Sequence, residues 1–225
     1  MSESLRESLA RLDALEEAHL QLGAAMLAAY GGALYGMDLL AVGALNRSKA
    51  HIAGFRMLVN SRNLICAGAL LRLQLDTAMR FYAAFLVEKP HDFALAVLGG
   101  GRVRDVRDRD GQQLTDNYLA RKLGDEYEWV PRVYERTSGY VHLSSTHLMS
   151  AFSLKPEAEA SRQVEVKISA EDKPLPEWIY VEAADAFGAA TDILLRYVQG
   201  WALTKAHPEM VGDRKHKGSG SDEGA

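Results

Sequence analysis

Arg136 and His142 lie in a segment that is dense in groups able to do chemistry. Between Glu135 and His147 the chain carries one arginine, two histidines and six hydroxyl side chains around Gly139. Arginine is a fixed cation that holds a phosphate with a fork of N–H donors, and histidine moves a proton near neutral pH. Arginine and histidine together suit cleavage of a phosphodiester bond.

The separation of Arg136 and His142 carries little weight by itself. With 17 arginines and 7 histidines in the chain, about 1.6 pairs with a separation of five to seven residues are expected by chance. On an unbroken helix, side chains six positions apart point about 120° away from each other. We therefore expect Gly139 to bend the helix, so that Arg136, Ser138 and His142 converge, or a two-fold dimer to join His142 of one copy to Arg136 of the other.

A second set of charges recurs at helical spacing. Arg72, Asp76 and Arg80 stand at i, i+4 and i+8, so they form one stripe on which the acid can pair with either base. The stripe is either a solvated ladder of ion pairs or the lining of a polar site inside the bundle, and the sequence leaves both interpretations open.

Arginines and aspartates interleave after a run of three glycines. The segment 102–111 contains four arginines and three aspartates. We expect a surface loop with a turn at Asp110-Gly111. Arg102 and Arg104 precede the first aspartate of the run. They are the arginines of this loop that we expect to contact phosphate.

The elements that must position these residues are helices. Apolar residues recur at helical spacing over 5–29, 33–59, 62–87 and 177–205, and shorter helices are predicted over 92–98, 116–123 and after Asp125. Ser2 or Ser4 can cap the first helix, Ser61 the third, and Thr115 the helix over 116–123. Val164, Val166 and Ile168 alternate with charged residues, which predicts a strand that pairs with 151–154. The fold class is therefore all-α: an up-down bundle of long helices with a small β-hairpin insertion at about 151–170, before the C-terminal helix. We expect one domain over 1–206 and a disordered tail over 207–225.

Composition limits the function classes. The chain has 48% hydrophobic and 25% charged residues and a net charge of -4, which argues against a protein that coats nucleic acid non-specifically. The one cysteine, Cys66, lies in an apolar run and is expected to be buried. The polar N-terminus lacks a secretion signal and the chain lacks a convincing membrane span, so we expect a cytoplasmic protein that does not enter the membrane.

Metal sites and familiar hydrolase motifs are not indicated. His142 and His147 lack the i+4 geometry of a zinc site and a third ligand nearby. No Gly-x-Ser-x-Gly motif marks a serine nucleophile. We therefore predict neither a metal nor a cofactor.

The pair Arg136-x5-His142, on a late helix of an all-α chain, resembles the motif of the HEPN superfamily of prokaryotic toxins and defence ribonucleases. The resemblance covers the helical part of the chain loosely. In that family the residue after the arginine is often Asn, Asp or His, whereas this chain has Thr137, and Gly139 within the motif is a further departure.

The resemblance implies metal-independent RNA cleavage by a homodimer that acts as a toxin or antiviral defence effector, under the control of an antitoxin or sensor protein. His142 would be the general acid or base, Arg136 would stabilise the phosphorane, Ser138 would orient the imidazole and Tyr140 would stack on a base. The alternative is a non-catalytic helical bundle in which the same polar cluster is structural or binds a protein or a small ligand.

Overall fold

The computed structural model describes residues 1–154 and 164–209, and this part of the chain is mostly helical. It contains eight α-helices, with 3₁₀ segments at Tyr30–Gly32, Ala83–Phe85 and Val103–Asp105. The all-α fold class is confirmed. The helices are α1 (Glu3–Ala28), α2 (Gly36–Asn60), α3 (Leu64–Tyr82), α4 (Pro90–Leu98), α5 (Asp116–Gly124), α6 (Val130–Val141), α7 (Ser145–Ala151) and α8 (Glu177–Ala206).

Side-chain caps set several helix starts. The hydroxyl of Ser2 accepts from the Leu5 N–H at 3.3 Å and begins α1, as the sequence predicts. Helix α3 begins later than expected, because Asn63 and not Ser61 caps it, accepting from the Cys66 N–H at 3.0 Å. It also ends earlier, at Tyr82.

Helix α3 lies at the centre of the fold. It packs against α2 on one side, α8 on another, and α5 and α6 on a third, while α1 runs along α8. The buried side chains form two clusters, one toward each end of the long helices. Since α3 contacts both clusters, its polar residues are held between rigid neighbours.

Buried polar groups fix the register of the long helices. Gln74 of α3 donates to Ser48 at 2.6 Å and to Thr191 at 2.9 Å, and its carbonyl oxygen lies 3.1 Å from His51. His19 of α1 completes the network through Ser48 at 2.8 Å. These hydrogen bonds join α1, α2, α3 and α8, so sliding one helix past another would leave buried polar atoms unpaired.

The predicted hairpin is present. Strand β1 (Phe152–Leu154) pairs antiparallel with β2 (Val164–Val166), with Phe152 opposite Val166. Helix α8 ends at Ala206. The tail predicted over 207–225 lies from residue 210 onward outside the described residues.

Cys66 is exposed on the first turn of α3, so its predicted burial is wrong; the apolar face of the helix passes through Ala67 and Leu71 instead. No helix within 1–154 and 164–209 combines the length and apolar character that a bilayer span requires.

Candidate functional site

Arg136 projects from α6 toward the C-terminal helix. Its Nη1 donates to the Glu182 carboxylate of α8 at 3.1 Å, and the two side chains are 64% and 51% exposed. An exposed ion pair of this kind contributes about 1 kcal/mol or less. The guanidinium therefore already has an anionic partner, but one that solvent and competing anions can reach.

The bend expected at Gly139 is wrong. Helix α6 continues through this residue to Val141, and the backbone becomes extended at His142. Gly139 serves a close approach instead: its carbonyl accepts from the Ser144 hydroxyl at 2.7 Å, and an added Cβ would lie 3.0 Å from the Thr146 hydroxyl oxygen. The small residue admits the start of α7, and His142 is left exposed at the helix end.

Ser138 and Tyr140 make contacts with groups other than His142. The Ser138 hydroxyl donates to the Tyr134 carbonyl, one turn back on its own helix, at 2.9 Å. The Tyr140 ring lies against Gly68 of α3, where an added Cβ would be 2.6 Å from the ring. Burial raises the pKa of the Tyr140 hydroxyl. Tyr140 therefore joins α6 to α3 by packing.

The stripe on α3 divides into a buried part and an exposed part. Arg72 and Asp76 are 8% and 9% exposed and pair at 2.8 Å. The Arg72 guanidinium also lies 3.8 Å from the centre of the Tyr134 ring, a stacked cation–π geometry. Arg80 is exposed and pairs with Asp116 of α5 at 3.2 Å. The stripe is thus neither a solvated ladder along its whole length nor wholly enclosed.

The exposed end of this stripe opens into a cleft of about 520 Å³. Helices α2, α3 and α4, the loop after α4 and the first turn of α5 form its walls. Asp76, Arg80, Arg102 and Arg104 all line it, so four of the residues singled out in the sequence meet here. We call it the arginine cleft; its other lining residues are Leu39, Leu40, Gly43, Ala44, Arg47, Thr77, Phe81, Phe93, Val97, Leu98, Gly101, Val103 and Asp116.

Two of the four cleft arginines are paired with carboxylates. Arg80 binds Asp116, and Arg102 binds Asp105 at 2.7 Å. Arg47 instead donates from Nε to the Thr77 hydroxyl at 3.1 Å. Within the described ranges, Arg47 and Arg104 form no ion pair with a carboxylate.

One of the two aspartates that line the cleft, Asp76, has a shifted pKa. Burial raises the pKa of the Asp76 carboxyl, the neighbouring Arg72 guanidinium opposes this shift, and Asp116 adds to it. Buried acids with shifted pKa values are common in functional clefts, although structural ion pairs show them too. Asp76 thus connects the cleft to the buried Arg72.

Sequence reasoning missed Arg47, Thr77 and Asp116. Thr77 adjoins the predicted Asp76, and Asp116 follows the predicted cap Thr115, but neither position carries a motif. Arg47 comes from α2, and only the packing of α2 on α3 brings it to the cleft. Its alignment with Leu40 and Ala44 on one helical face is the signal that the sequence offered.

The residues of the predicted motif do not line the arginine cleft. Arg136 and Tyr140 border a separate, smaller apolar cavity of about 60 Å³ between α3, α6 and α8. In the part of the chain that the structure describes, no group of three His, Cys, Asp or Glu side chains is arranged to hold a metal ion. No protein-family model, curated protein or solved structure matched this chain.

Proposed function

We propose that this protein binds a small anionic molecule, bearing a phosphate or a carboxylate, in the arginine cleft. The observation that carries the proposal is that Arg47 and Arg104 line one cleft and pair with no carboxylate of the described chain. Gathering like charges costs Coulomb energy unless an anion offsets it. The guanidinium fork matches phosphate and carboxylate geometry.

The size and charge of the cleft support a small ligand. Its volume of about 520 Å³ lies within the range of about 300–1,000 Å³ that is usual for small-molecule sites. Four arginines and two aspartates line it, so its charge is positive in a chain whose net charge is -4. The local field therefore favours an anion, whereas the protein as a whole repels one.

The direct test is calorimetric titration of the full chain with pyrophosphate at low ionic strength. We expect saturable binding that weakens as salt is raised, because partly exposed charge pairs are screened. An Arg47→Gln/Arg104→Gln double variant removes the two unpaired cations and should weaken binding at least tenfold.

The matched control is Arg121→Gln/Arg132→Gln. Arg121 of α5 and Arg132 of α6 are exposed and do not line the cleft, so this double variant has the same charge change without the loss of a cleft donor. Equal affinity of the wild type and the Arg47→Gln/Arg104→Gln variant for pyrophosphate would contradict the proposal, and so would an equal loss in the control.

The second candidate function is RNA cleavage by Arg136 and His142 across a homodimer. The observation that favours it is the surface around His142: Val141 is 47% exposed and Leu143 is 86% exposed. Clustered exposed apolar side chains are typical of protein contacts. A second copy bound there would enclose His142, and Arg136 would exchange Glu182 for an RNA phosphate.

The ribonuclease proposal is tested by RNA cleavage and growth arrest in the presence of EDTA. His142→Ala should abolish both, whereas His207→Ala, at the exposed end of α8, should leave both intact. Glu182→Gln should preserve or raise cleavage because it frees Arg136. Wild-type and His142→Ala proteins that behave alike would remove this candidate, together with its antitoxin or sensor partner.

A further inference from the structure

The wall of the arginine cleft on the side of α2 and α4 is aliphatic, and it continues onto the surface. Leu39 and Leu98 line the cleft although they are 42% and 50% exposed. One turn away on the same helices, Val42 is 40% exposed and Leu95 is 56% exposed. Residues three apart share a helix face, so each helix carries an apolar stripe that leads out of the cleft.

Among the residues that the structure describes, the cleft offers no exposed aromatic ring to a planar ligand. Phe81 and Phe93 are its aromatic lining residues, and they are 1% and 4% exposed. Both rings pack in the core. Proteins that hold an unpaired nucleobase, by contrast, commonly stack it on an exposed aromatic ring. The accessible apolar surface of the cleft is therefore suited to a flexible aliphatic chain.

On the wall that α2 forms, an aliphatic end and a cationic end of the cleft are separated. Leu39 and Arg47 are eight residues apart on α2, or about 12 Å along the helix axis. Thr77 holds the Arg47 guanidinium at 3.1 Å, at the same level of α3 as Asp76. A ligand that fills the cleft would contact a charged end and an apolar wall at once.

We infer that the ligand is an amphiphilic anion, with an aliphatic chain along Leu39 and Leu98 and a phosphate or carboxylate head at Arg47 and Arg104. This inference rests on the proposed anion-binding function and names its ligand class. Two sources share this chemistry: a free single-chain amphiphile, such as an acyl carboxylate or alkyl phosphate, and an anionic lipid in a bilayer. The aliphatic wall explains what the arginines alone do not, namely why leucines remain exposed beside a charged site.

The experiment compares dodecyl phosphate, below its critical micelle concentration, with methyl phosphate, which has the same head without the chain. Each is titrated into the full chain. We expect dodecyl phosphate to bind at least tenfold more tightly, since burial of its methylenes favours binding by more than the ordering of the chain opposes it. Neutral dodecyl maltoside should bind at least tenfold more weakly than dodecyl phosphate.

Variants separate the two halves of the site. Leu39→Gln/Leu98→Gln should weaken dodecyl phosphate binding at least tenfold and leave methyl phosphate binding unchanged, whereas Arg47→Gln/Arg104→Gln should weaken both. Leu20→Gln/Leu203→Gln is the matched control, because these leucines are 56% and 57% exposed and do not line the cleft. Both leucine pairs are exposed, so the folded state should tolerate their replacement.

The outcomes distinguish the inference from the function on which it rests. Equal binding of methyl and dodecyl phosphate overturns the inference and keeps the anion-binding proposal, and tighter binding of adenosine monophosphate than of dodecyl phosphate does the same. Failure of all anions, pyrophosphate included, overturns both. Sedimentation with phosphatidylglycerol vesicles, dependent on Leu39 and Leu98, identifies a bilayer lipid as the source; dodecyl phosphate binding without vesicle binding identifies a free amphiphile.

Discussion

The guanidinium of Arg72 lies 3.8 Å from the centre of the Tyr134 ring, and this stack joins α3 to α6. The same guanidinium donates from Nη1 to Asp76 at 2.8 Å, while its Nε has no hydrogen-bond partner in the described part of the chain. Arg72 therefore packs between α3 and α6, and its positive charge offsets the negative charge of Asp76, which borders the arginine cleft.

Replacement of Arg72 by methionine should destabilise the protein by about 3 kcal/mol, because it leaves the Asp76 carboxylate buried without its cation. Urea unfolding at pH 7.5 measures the change. The double variant Arg72→Met/Asp76→Leu should recover most of that loss, since it removes both charges together. A double variant less stable than Arg72→Met alone would show that Asp76 is not the partner that matters.

A second buried ion pair joins the first turn of α2 to the last turn of α8. Lys205 Nζ lies 3.1 Å from an Asp38 oxygen, with side chains 1% and 0% exposed, and Trp201 donates to the second oxygen at 2.9 Å. We expect Lys205→Met to cost about 3–5 kcal/mol because Asp38 loses its cation. Lys122→Met, at a partly exposed pair with Asp125, should change stability by less than about 1 kcal/mol. Similar losses from both variants would refute the distinction.

Stability should fall as pH drops below 6.5, owing to two buried histidines. Burial lowers the pKa of His19 and of His51 below the usual histidine value of about 6.5, so the unfolded chain takes up protons that the folded protein does not. The effect is absent well above pH 6.5 and reaches at most about 1.4 kcal/mol per histidine at pH 5.5.

Urea unfolding at pH 7.5 and at pH 5.5 measures this dependence. The raised pKa of Asp76 acts in the opposite sense, because that group binds protons more readily when folded. Comparison with His51→Asn, which keeps a polar group near Gln74, isolates one histidine's contribution. The variant should lose less stability between the two pH values than the wild type does, and an unchanged difference would count against the assignment.

An added methyl group should have opposite effects on stability at Gly68 and at Gly200. A Cβ at Gly68 would lie 2.6 Å from the Tyr140 ring, whereas a Cβ at Gly200, inside α8, meets nothing within 4 Å. Gly68→Ala should therefore destabilise the protein by about 1–3 kcal/mol, and Gly200→Ala should stabilise it by about 0.5–1 kcal/mol through helix propensity. Thermal unfolding of both variants checks the signs; a stabilising Gly68→Ala would show that Tyr140 moves freely away.

Much of the fold follows from the sequence because its determinants are local. Apolar spacing and capping residues predicted the long helices, and Val164, Val166 and Ile168 predicted the strand that pairs near Phe152. The departures are also local: Asn63 and not Ser61 caps α3, and Gly139 stays within α6, where its missing side chain leaves room for Ser144 and Thr146.

The sequence by itself determined the helices, the hairpin and some of the arginines able to bind an anion, Arg102 and Arg104 among them, but not Arg47. Only the tertiary structure decided which of them converge: it joins Arg47 of α2 to Arg80 of α3 and to Arg104 of a loop, and it pairs Arg136 with Glu182, 46 residues away. Helix formation depends on neighbours within a turn or two, whereas convergence depends on how helix faces pack. Many pairings of helix faces satisfy the same periodicity, and the fit of the two buried clusters selects one.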